Sequence, residues 1–474
     1  MAEATAGVRA ALADMRALVG EAGWVADPDA VAAHCLDWRR RWSGPALAVV
    51  KPASTAEVAG VVAACAAARI PIVPQAGNTS LVGGAVPRAG EPSVVLSVSR
   101  LRRIRRVDPL DSSMTVEAGC VLAEVQRAAA AVDRLFPLAL GAEGTAEIGG
   151  LLSTNAGGVH VLRYGTVRQL ALGLEVVLAD GRVWDGLRAL RKDNTGYDLK
   201  QLFVGAEGTL GVVTAAVLQL FPRPRDRRVA WVGVPAPHAA LALLGHARDG
   251  LGDALVACEL VSRFALELVL AHVPGVADPL AAPCPWYVLL EAVSPAADGR
   301  LAAELERLLA AAARAGLVQD GTVAASAGQS AALWRLRESV PEAELRQGPS
   351  LKHDVAVPVQ RVPEMLEQGT PLLEAAWPGA RVVAFGHLGD GNLHLNLSCR
   401  GADPAAFLAA ETRCNAVVYD LVERLGGTIS AEHGVGQLKR AELAARRSAV
   451  ELDLMRAVKR ALDPAGIMNP GKVL

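Results

Sequence analysis

Short apolar runs rich in Val and Ile alternate with alanine-rich stretches over the first half of the chain. ALAVVKP is followed by TAEVAGVVAACAAAR, whose Thr/Glu opening is a helix-capping signal, and then by IPIVPQ, which is the order of a β-α-β unit. VVLSVS, MTVEAG, LEVVLAD and GVVTAAVLQLFP continue as strands up to Pro222. Residues 1–222 are therefore expected to form an α/β domain with glycine-rich connections. FPRPRDRR (221–228) reads as a linker. Beyond it VAWVGVP, LVACEL, WYVLLEAV, KHDVAVPV and RVVAFGH alternate with the helical runs HAALALLGHA, GRLAAELERLLAAAARAG, SAALWRLRESVPEAELR and VPEMLEQ. This pattern predicts an α+β domain over 223–425, an antiparallel sheet with helices on one face, followed by a mostly helical C-terminal segment, 426–474.

Composition narrows the function classes. Among 474 residues, Lys+Arg 48 against Asp+Glu 49 gives a formal net charge of -1, without the global positive field of a nucleic-acid binder. The mean hydropathy is +0.28, but no apolar run reaches the roughly eighteen residues of a membrane span. The N-terminal stretch MAEATAGVRAALADMRALVGEAGW has an amphipathic helix pattern and no apolar signal-peptide core, so a cytoplasmic location is expected. Seven cysteines without a C-x-x-C pair exclude a disulfide framework and a thiolate zinc site, leaving them as small buried apolar residues.

Three glycine clusters lie in the first domain. QAGNTSLVGG (75–84) follows a strand directly and could turn backbone N–H groups toward an anion, yet it matches neither the Rossmann nor the Walker fingerprint. GAEGTAEIGGLLSTNAGG (141–158) and VGAEGTLGVVT (204–214) add further turns with Thr and Asn side chains. One such loop is equally a structural turn; three in one domain point to an extended ligand.

In the second domain HLGDGNLH (387–394) places two histidines around a turn signal. If Asp390-Gly391 forms a two-residue turn, His387 faces His394, with Cβ atoms about 5 Å apart, and Asn396 shares a face with His394. A bare pair of this kind is more often an ordinary hairpin. SAEHGVGQLKR supplies Glu432 beside His433, and a His₂Glu set with open positions is the donor pattern of a catalytic metal. Zinc suits it, and Mn²⁺ or Fe²⁺ fits the same ligands. His433 is then the natural general base. His34, His160, His238, His246 and His272 read as surface or packing residues, and His353 as equally able to face solvent.

These loops, together with RYGTVRQLALGLEVVLADG (163–181) and RKDNTGYDLKQLFVGAEGTLGVVT (191–214), resemble the FAD-binding domain of the vanillyl-alcohol-oxidase-type flavoproteins. Within that group they are similar to the FAD-linked D-2-hydroxyacid dehydrogenases, from LDWRRRW (36–42) to NPGKVL (469–474). The resemblance implies a two-subdomain FAD-binding α/β domain plus an α+β substrate cap. It implies that Gly77, Asn78, Thr79 and Ser80 hold the FAD pyrophosphate, with Gly83 and Gly84 nearby. Gly144, Thr145, Gly149, Gly150, Thr154, Asn155, Gly157 and Gly158 are placed along the cofactor, Glu207, Gly208, Gly211 and Val212 toward its adenine half, and Asn469 near the flavin. The first loop has no His or Cys, so FAD is expected to be non-covalent. The resemblance also implies a divalent metal on His387, His394 and Glu432 that chelates the substrate's carboxylate and hydroxyl, with Asn396 contacting substrate.

Arg337 and Lys352 are candidates for a distal substrate carboxylate, since guanidinium and ammonium groups bind carboxylates by charge-assisted hydrogen bonds. The R-E dipeptide and the K-x-D-x-x-x-P strand look like the D-2-hydroxyglutarate-oxidising members. Pro341 departs from that subgroup, which commonly has a substrate-contacting Thr there. The expected activity is oxidation of D-2-hydroxyglutarate to 2-oxoglutarate. The alternatives are the same chemistry on D-lactate, D-malate or glycolate, a metal-dependent hydrolase, or a non-catalytic flavin-binding module. An electron-transfer flavoprotein or a quinone pathway is the acceptor the resemblance suggests, and the oligomeric state, a homodimer among the options, is left open.

Overall fold

The computed structural model describes residues 6–474, so the first five residues of the N-terminal stretch lie outside it. Two compact units emerge. One comprises the residues up to Gly158, Gly165–Arg223 and Glu432–Leu474; the other comprises Val159–Tyr164 and Pro224–Ala431.

The first unit holds two main sheets and a short antiparallel pair of Arg134–Leu135 with Phe221–Pro222. Strands β1 (Ala46–Val50), β2 (Ile72–Gln75) and β3 (Ser93–Ser97) form a parallel sheet in the order β1-β3-β2. The helix Thr55–Ala68 makes the crossover, opened by the Ser54 hydroxyl accepting the Glu57 N–H and closed by Arg69 in the left-handed region. Strands β4 (Ile104–Asp108), β5 (Ser113–Glu117), β6 (Ala171–Val177), β7 (Val183–Gly186) and β8 (Val212–Gln219) form an antiparallel sheet in the order β4-β5-β8-β6-β7. The C-terminal segment returns to this unit: Met468 bridges Ile72 in parallel, and the Asn469 N–H donates to the Ile72 carbonyl at 2.8 Å.

The second unit is built on one antiparallel sheet. Its strands are β9 (Asp226–Val234), β10 (Leu255–Ser262), β11 (Trp286–Ser294), β12 (Asp320–Val323), β13 (Ser350–Leu351), β14 (Asp354–Ala356), β15 (Arg381–His387) and β16 (Asn392–Ser398), in the order β12-β9-β11-β10-β15-β16-β13, with β14 also paired to β16. Helices cover both faces, which corrects the expectation of one covered face. Ala230, Val232 and Val234 join a core with the helices Pro237–Leu251, Arg300–Arg314 and Val362–Ala376, while Val229 and Trp231 join another with the helices Arg263–His272 and Ala327–Glu338. The cause is legible in LVACELVS, buried at every position: a strand without polar alternation needs apolar cover on both sides. Among the described residues no helix is long and apolar enough to cross a membrane. All seven cysteines are buried and unbridged.

Candidate active site

In the first unit the three glycine clusters converge on one cavity. Gly77, Asn78, Thr79, Ser80 and Gly84 line it, with Gly149, Gly150, Thr154, Glu207, Gly208, Gly211 and Val212. Glu432 and His433 line the same cavity. Close packing of the loops builds it: a Cβ on Gly77 would stand 2.2 Å from the Thr145 carbonyl oxygen, so the 76–80 loop can seat on the 144–146 segment only as glycine.

Other expected cofactor positions support this wall and do not line it. Gly83 packs against the Trp42 ring, and Gly158, at φ +126°, against the Ala139 carbonyl. Asn155 accepts the Thr166 hydroxyl at 2.8 Å and the Arg168 N–H at 3.2 Å. A Cβ on Gly144 would meet nothing within 4 Å, so no packing demands glycine there. Thr145 is exposed, its hydroxyl donating to the Ala142 carbonyl at 3.4 Å, while Gly157 is buried. Asn469 donates from Nδ2 to the carbonyls of Gly84 at 3.0 Å and Glu207 at 2.7 Å, tying two cavity loops together.

Glu207 has a second task. Its carboxylate accepts the N–H of Val435 at 2.7 Å and of Gly436 at 2.8 Å, and so anchors the loop that carries Glu432 and His433. Burial pushes its carboxyl up, opposed by those two N–H groups and by Lys439.

Does the cavity suit a dinucleotide? It is formed by backbone-rich glycine loops, and buried oxygens of the lining residues Asn78 (Oδ1) and Glu147 (Oε2) find no hydrogen-bond partner among the described residues. Buried polar atoms without protein partners are where a polar ligand is accommodated. The residues fit FAD.

The second unit carries the histidine hairpin, in a register that differs from expectation. His387 pairs with Asn392 and His394 with Phe385, so the two histidines are diagonal neighbours and not direct opposites. The loop is longer than two residues because Leu388 is drawn into the core, fully buried. The Asp390 and Gly391 N–H groups both donate to the His387 carbonyl, at 3.2 and 3.1 Å, and Asp390 Oδ1 accepts the Asn392 N–H at 3.1 Å. Gly391 sits at φ +83°, where a Cβ would meet the Val357 carbonyl at 2.1 Å. The diagonal still brings the imidazoles together, with ring centroids 5.9 Å apart.

Behind His387 stands a carboxylate that local sequence pattern does not reveal. Glu259, directly across the β10–β15 ladder, meets His387 Nδ1 through Oε1 at 2.8 Å and accepts Arg337 Nε–H through Oε2 at 2.9 Å. Burial works against its charge, yet His387 and Arg337 outweigh it and hold the carboxyl below its usual range. A carboxylate on Nδ1 fixes the tautomer that leaves Nε2 as the ligand nitrogen, the support metal-binding imidazoles commonly have. One signal was present: a Glu inside the apolar run LVACELVS is tolerated only when paired.

The expected substrate residues all have partners within the chain. Arg337 is buried on Glu259, its guanidinium 4.8 Å from the Phe385 ring centroid. Lys352 pairs with the fully buried Glu344 at 2.5 Å. Asn396 donates to the same Glu344 oxygen at 2.9 Å and accepts the His353 N–H at 3.1 Å. His353, read as able to face solvent, is instead buried, with Nδ1 2.7 Å from the Leu395 carbonyl. His160 also has a structural role, 3.7 Å from buried Glu291.

Comparison with known proteins covers nearly the whole chain. The family description "FAD linked oxidases, C-terminal domain" matches residues 223–473, and "FAD binding domain" matches residues 46–186. A probable mitochondrial D-2-hydroxyglutarate dehydrogenase of Oryza sativa subsp. japonica is 38% identical over 461 residues, 97% of this chain and 80% of the relative. A D-2-hydroxyglutarate dehydrogenase of Xanthomonas citri pv. viticola is 39% identical over 440 residues, 92% of this chain and 91% of the relative. Among solved structures, p-cresol methylhydroxylase shares the fold with a TM-score of 0.79 at 17% identity, covering 99% of this chain and 97% of that one. The expected cytoplasmic location is overturned: the rice relative and those from thale cress, zebrafish, rat and cattle are named as mitochondrial proteins.

Proposed function

The chain belongs to the FAD-linked oxidases of the D-2-hydroxyacid dehydrogenase type, and on that premise we propose that it oxidises D-2-hydroxyglutarate to 2-oxoglutarate. The observation that carries the substrate is the match to D-2-hydroxyglutarate dehydrogenases over 92–97% of this chain and 80–91% of those relatives.

Bound FAD supplies the two-electron acceptor that takes the C2 hydride, and a divalent ion supplies Lewis acidity toward the C2 hydroxyl. The chain's own residues do the rest. His433 removes the hydroxyl proton. The glycine loops and Asn78, Thr79 and Ser80 hold the cofactor non-covalently. His387, His394 and Glu432 are the proposed metal ligands, a reading supported by the approach of the two imidazoles across the hairpin diagonal and by Glu259 behind His387. Zinc is proposed from this nitrogen and oxygen donor set. Arg337 and Lys352 bind the distal carboxylate, with Asn396 beside them; Glu344 and Glu259 orient these cations when substrate is absent. Onward transfer to an electron-transfer flavoprotein or a quinone pathway rests on the family resemblance.

A shorter acid is the second reading. It is favoured by the internal carboxylate already on Lys352 and by Pro341, which offers no hydroxyl at the start of the helix Val340–Gln347. The test is turnover with an artificial acceptor on D- and L-2-hydroxyglutarate, D-malate, D-lactate and glycolate, with and without a chelator. Preference for D-2-hydroxyglutarate, abolished by chelation, is expected; preference for an L-acid contradicts the proposal.

A further inference from the structure

One carboxyl in the cofactor cavity has no part in the chemistry described so far. Glu147 lines the cavity, is 6% exposed, and its Oε2 has no hydrogen-bond partner among the described residues. It stands at the start of the helix Ile148–Ser153 without capping it. Its backbone is fixed by a bridge to Val121, and its carbonyl accepts the N–H groups of Gly150 and Leu151. The neighbouring Ala146 packs on the 76–80 loop, with its Cα 3.3 Å from where a Cβ on Gly77 would stand. Glu147 therefore shares a cavity wall with the loop proposed to hold the pyrophosphate.

A buried carboxylate without a partner is strongly disfavoured, whereas the neutral acid is both a donor and an acceptor. Burial pushes Glu147 up to about 7, against the opposing charges of Arg102 and Lys51. The other charged groups around it are accounted for. Glu207, in the same cavity, accepts two backbone N–H groups, and Glu432 and His433 line that cavity as well. Glu117 and Glu124 lie around Cys120, on the side of Val121.

Resting on the FAD reading, we propose that Glu147 is a cofactor-contacting acid that donates its carboxyl proton to an oxygen of the bound dinucleotide. A phosphate-bearing ligand disfavours a second anion in the same cavity, so binding takes up the proton that Glu147 lacks. FAD is then held more weakly as pH rises, and the weakening belongs to this side chain.

The experiment follows FAD release from the full-length holoprotein by recovery of flavin fluorescence between pH 6 and 9, for the wild type and Glu147→Gln. The Gln variant keeps an N–H donor and carries no charge. The wild-type Kd should rise roughly tenfold per pH unit once the pH passes the apo value of Glu147, while E147Q matches the wild type at pH 6 and stays flat. Equal pH slopes in the two proteins overturn the proposal. Calorimetry of FAD binding to the wild type in two buffers of different ionisation enthalpy gives an independent check if E147Q does not fold: net proton uptake near neutrality is expected, and zero uptake overturns the proposal. A chain that holds no FAD at any pH overturns the FAD reading itself and this proposal with it, a result distinct from equal slopes.

Discussion

Arg337, on the helix Ala327–Glu338, and Glu259, in the wholly buried strand β10, form a buried ion pair, 2.9 Å from Nε to Oε2. Removing Arg337 leaves the buried Glu259 carboxylate with only His387 as its charged partner. Arg337→Ala should lower stability by about 3–5 kcal/mol, read as a drop in urea midpoint at unchanged slope. Adding Glu259→Gln should recover part of that loss; a double variant less stable than R337A would show that the contact of Glu259 with His387 outweighs the cost of burying its charge.

Lys352 is expected to discriminate between substrates. Lys352→Met should raise KM for D-2-hydroxyglutarate roughly 10- to 100-fold, the size of one charge-assisted hydrogen bond, and leave D-lactate turnover within about twofold. Equal losses on both acids would place Lys352 away from the distal carboxylate.

The metal proposal separates ligand from support. His394→Ala should abolish turnover and resist rescue by added Zn²⁺ or Mn²⁺, with flavin absorbance retained. Glu259→Gln, which leaves the three proposed ligands in place and alters the support behind His387 together with the partner of Arg337, should weaken metal affinity about 10- to 100-fold and respond to excess ion. Identical behaviour of the two variants would remove the distinction.

Glu207 is a positioning residue for the loop of Glu432 and His433. Glu207→Gln turns an amide toward backbone donors that both need an acceptor, so the loop should shift. A misplacement of about 1 Å costs up to about 10²-fold in rate. The expected signature is a fall in kcat at near-constant KM, with the pH profile of kcat displaced and FAD content preserved.

Glu291 governs an acid limb of stability. Its carboxyl is pushed down to about 2: burial opposes the charge, but His160 and Arg227 outweigh it. A group depressed in the folded state stabilises above its unfolded value, near 4.3, and that stability is lost as pH falls from there toward 2. Glu291→Gln should flatten the stability profile in that window and leave its shape at pH 7 to 9 unchanged, as measured by thermal midpoints across pH.

Much of the site was legible because turns and ligands announce themselves locally. The run IPIVPQ followed by AGNTS, and Glu432-His433 between glycines, need no distant context to be noticed. The register of HLGDGNLH was not legible, because burial of Leu388 in a core assembled from remote helices decided the turn length. Glu259, Glu291 and Glu344 were hidden for a related reason. Each is a buried carboxylate whose partner, Arg337, Arg227 or Lys352, lies outside its own helix or strand. Local pattern marks them as anomalies without saying what resolves them.

The bridge from Met468 to Ile72 has a consequence for biosynthesis. On a ribosome, β2 emerges early and the residues that complete its edge emerge far later, after every strand of the other unit has been made. The edge of β2 in the nucleotide-holding half is therefore completed only after the intervening unit has been translated.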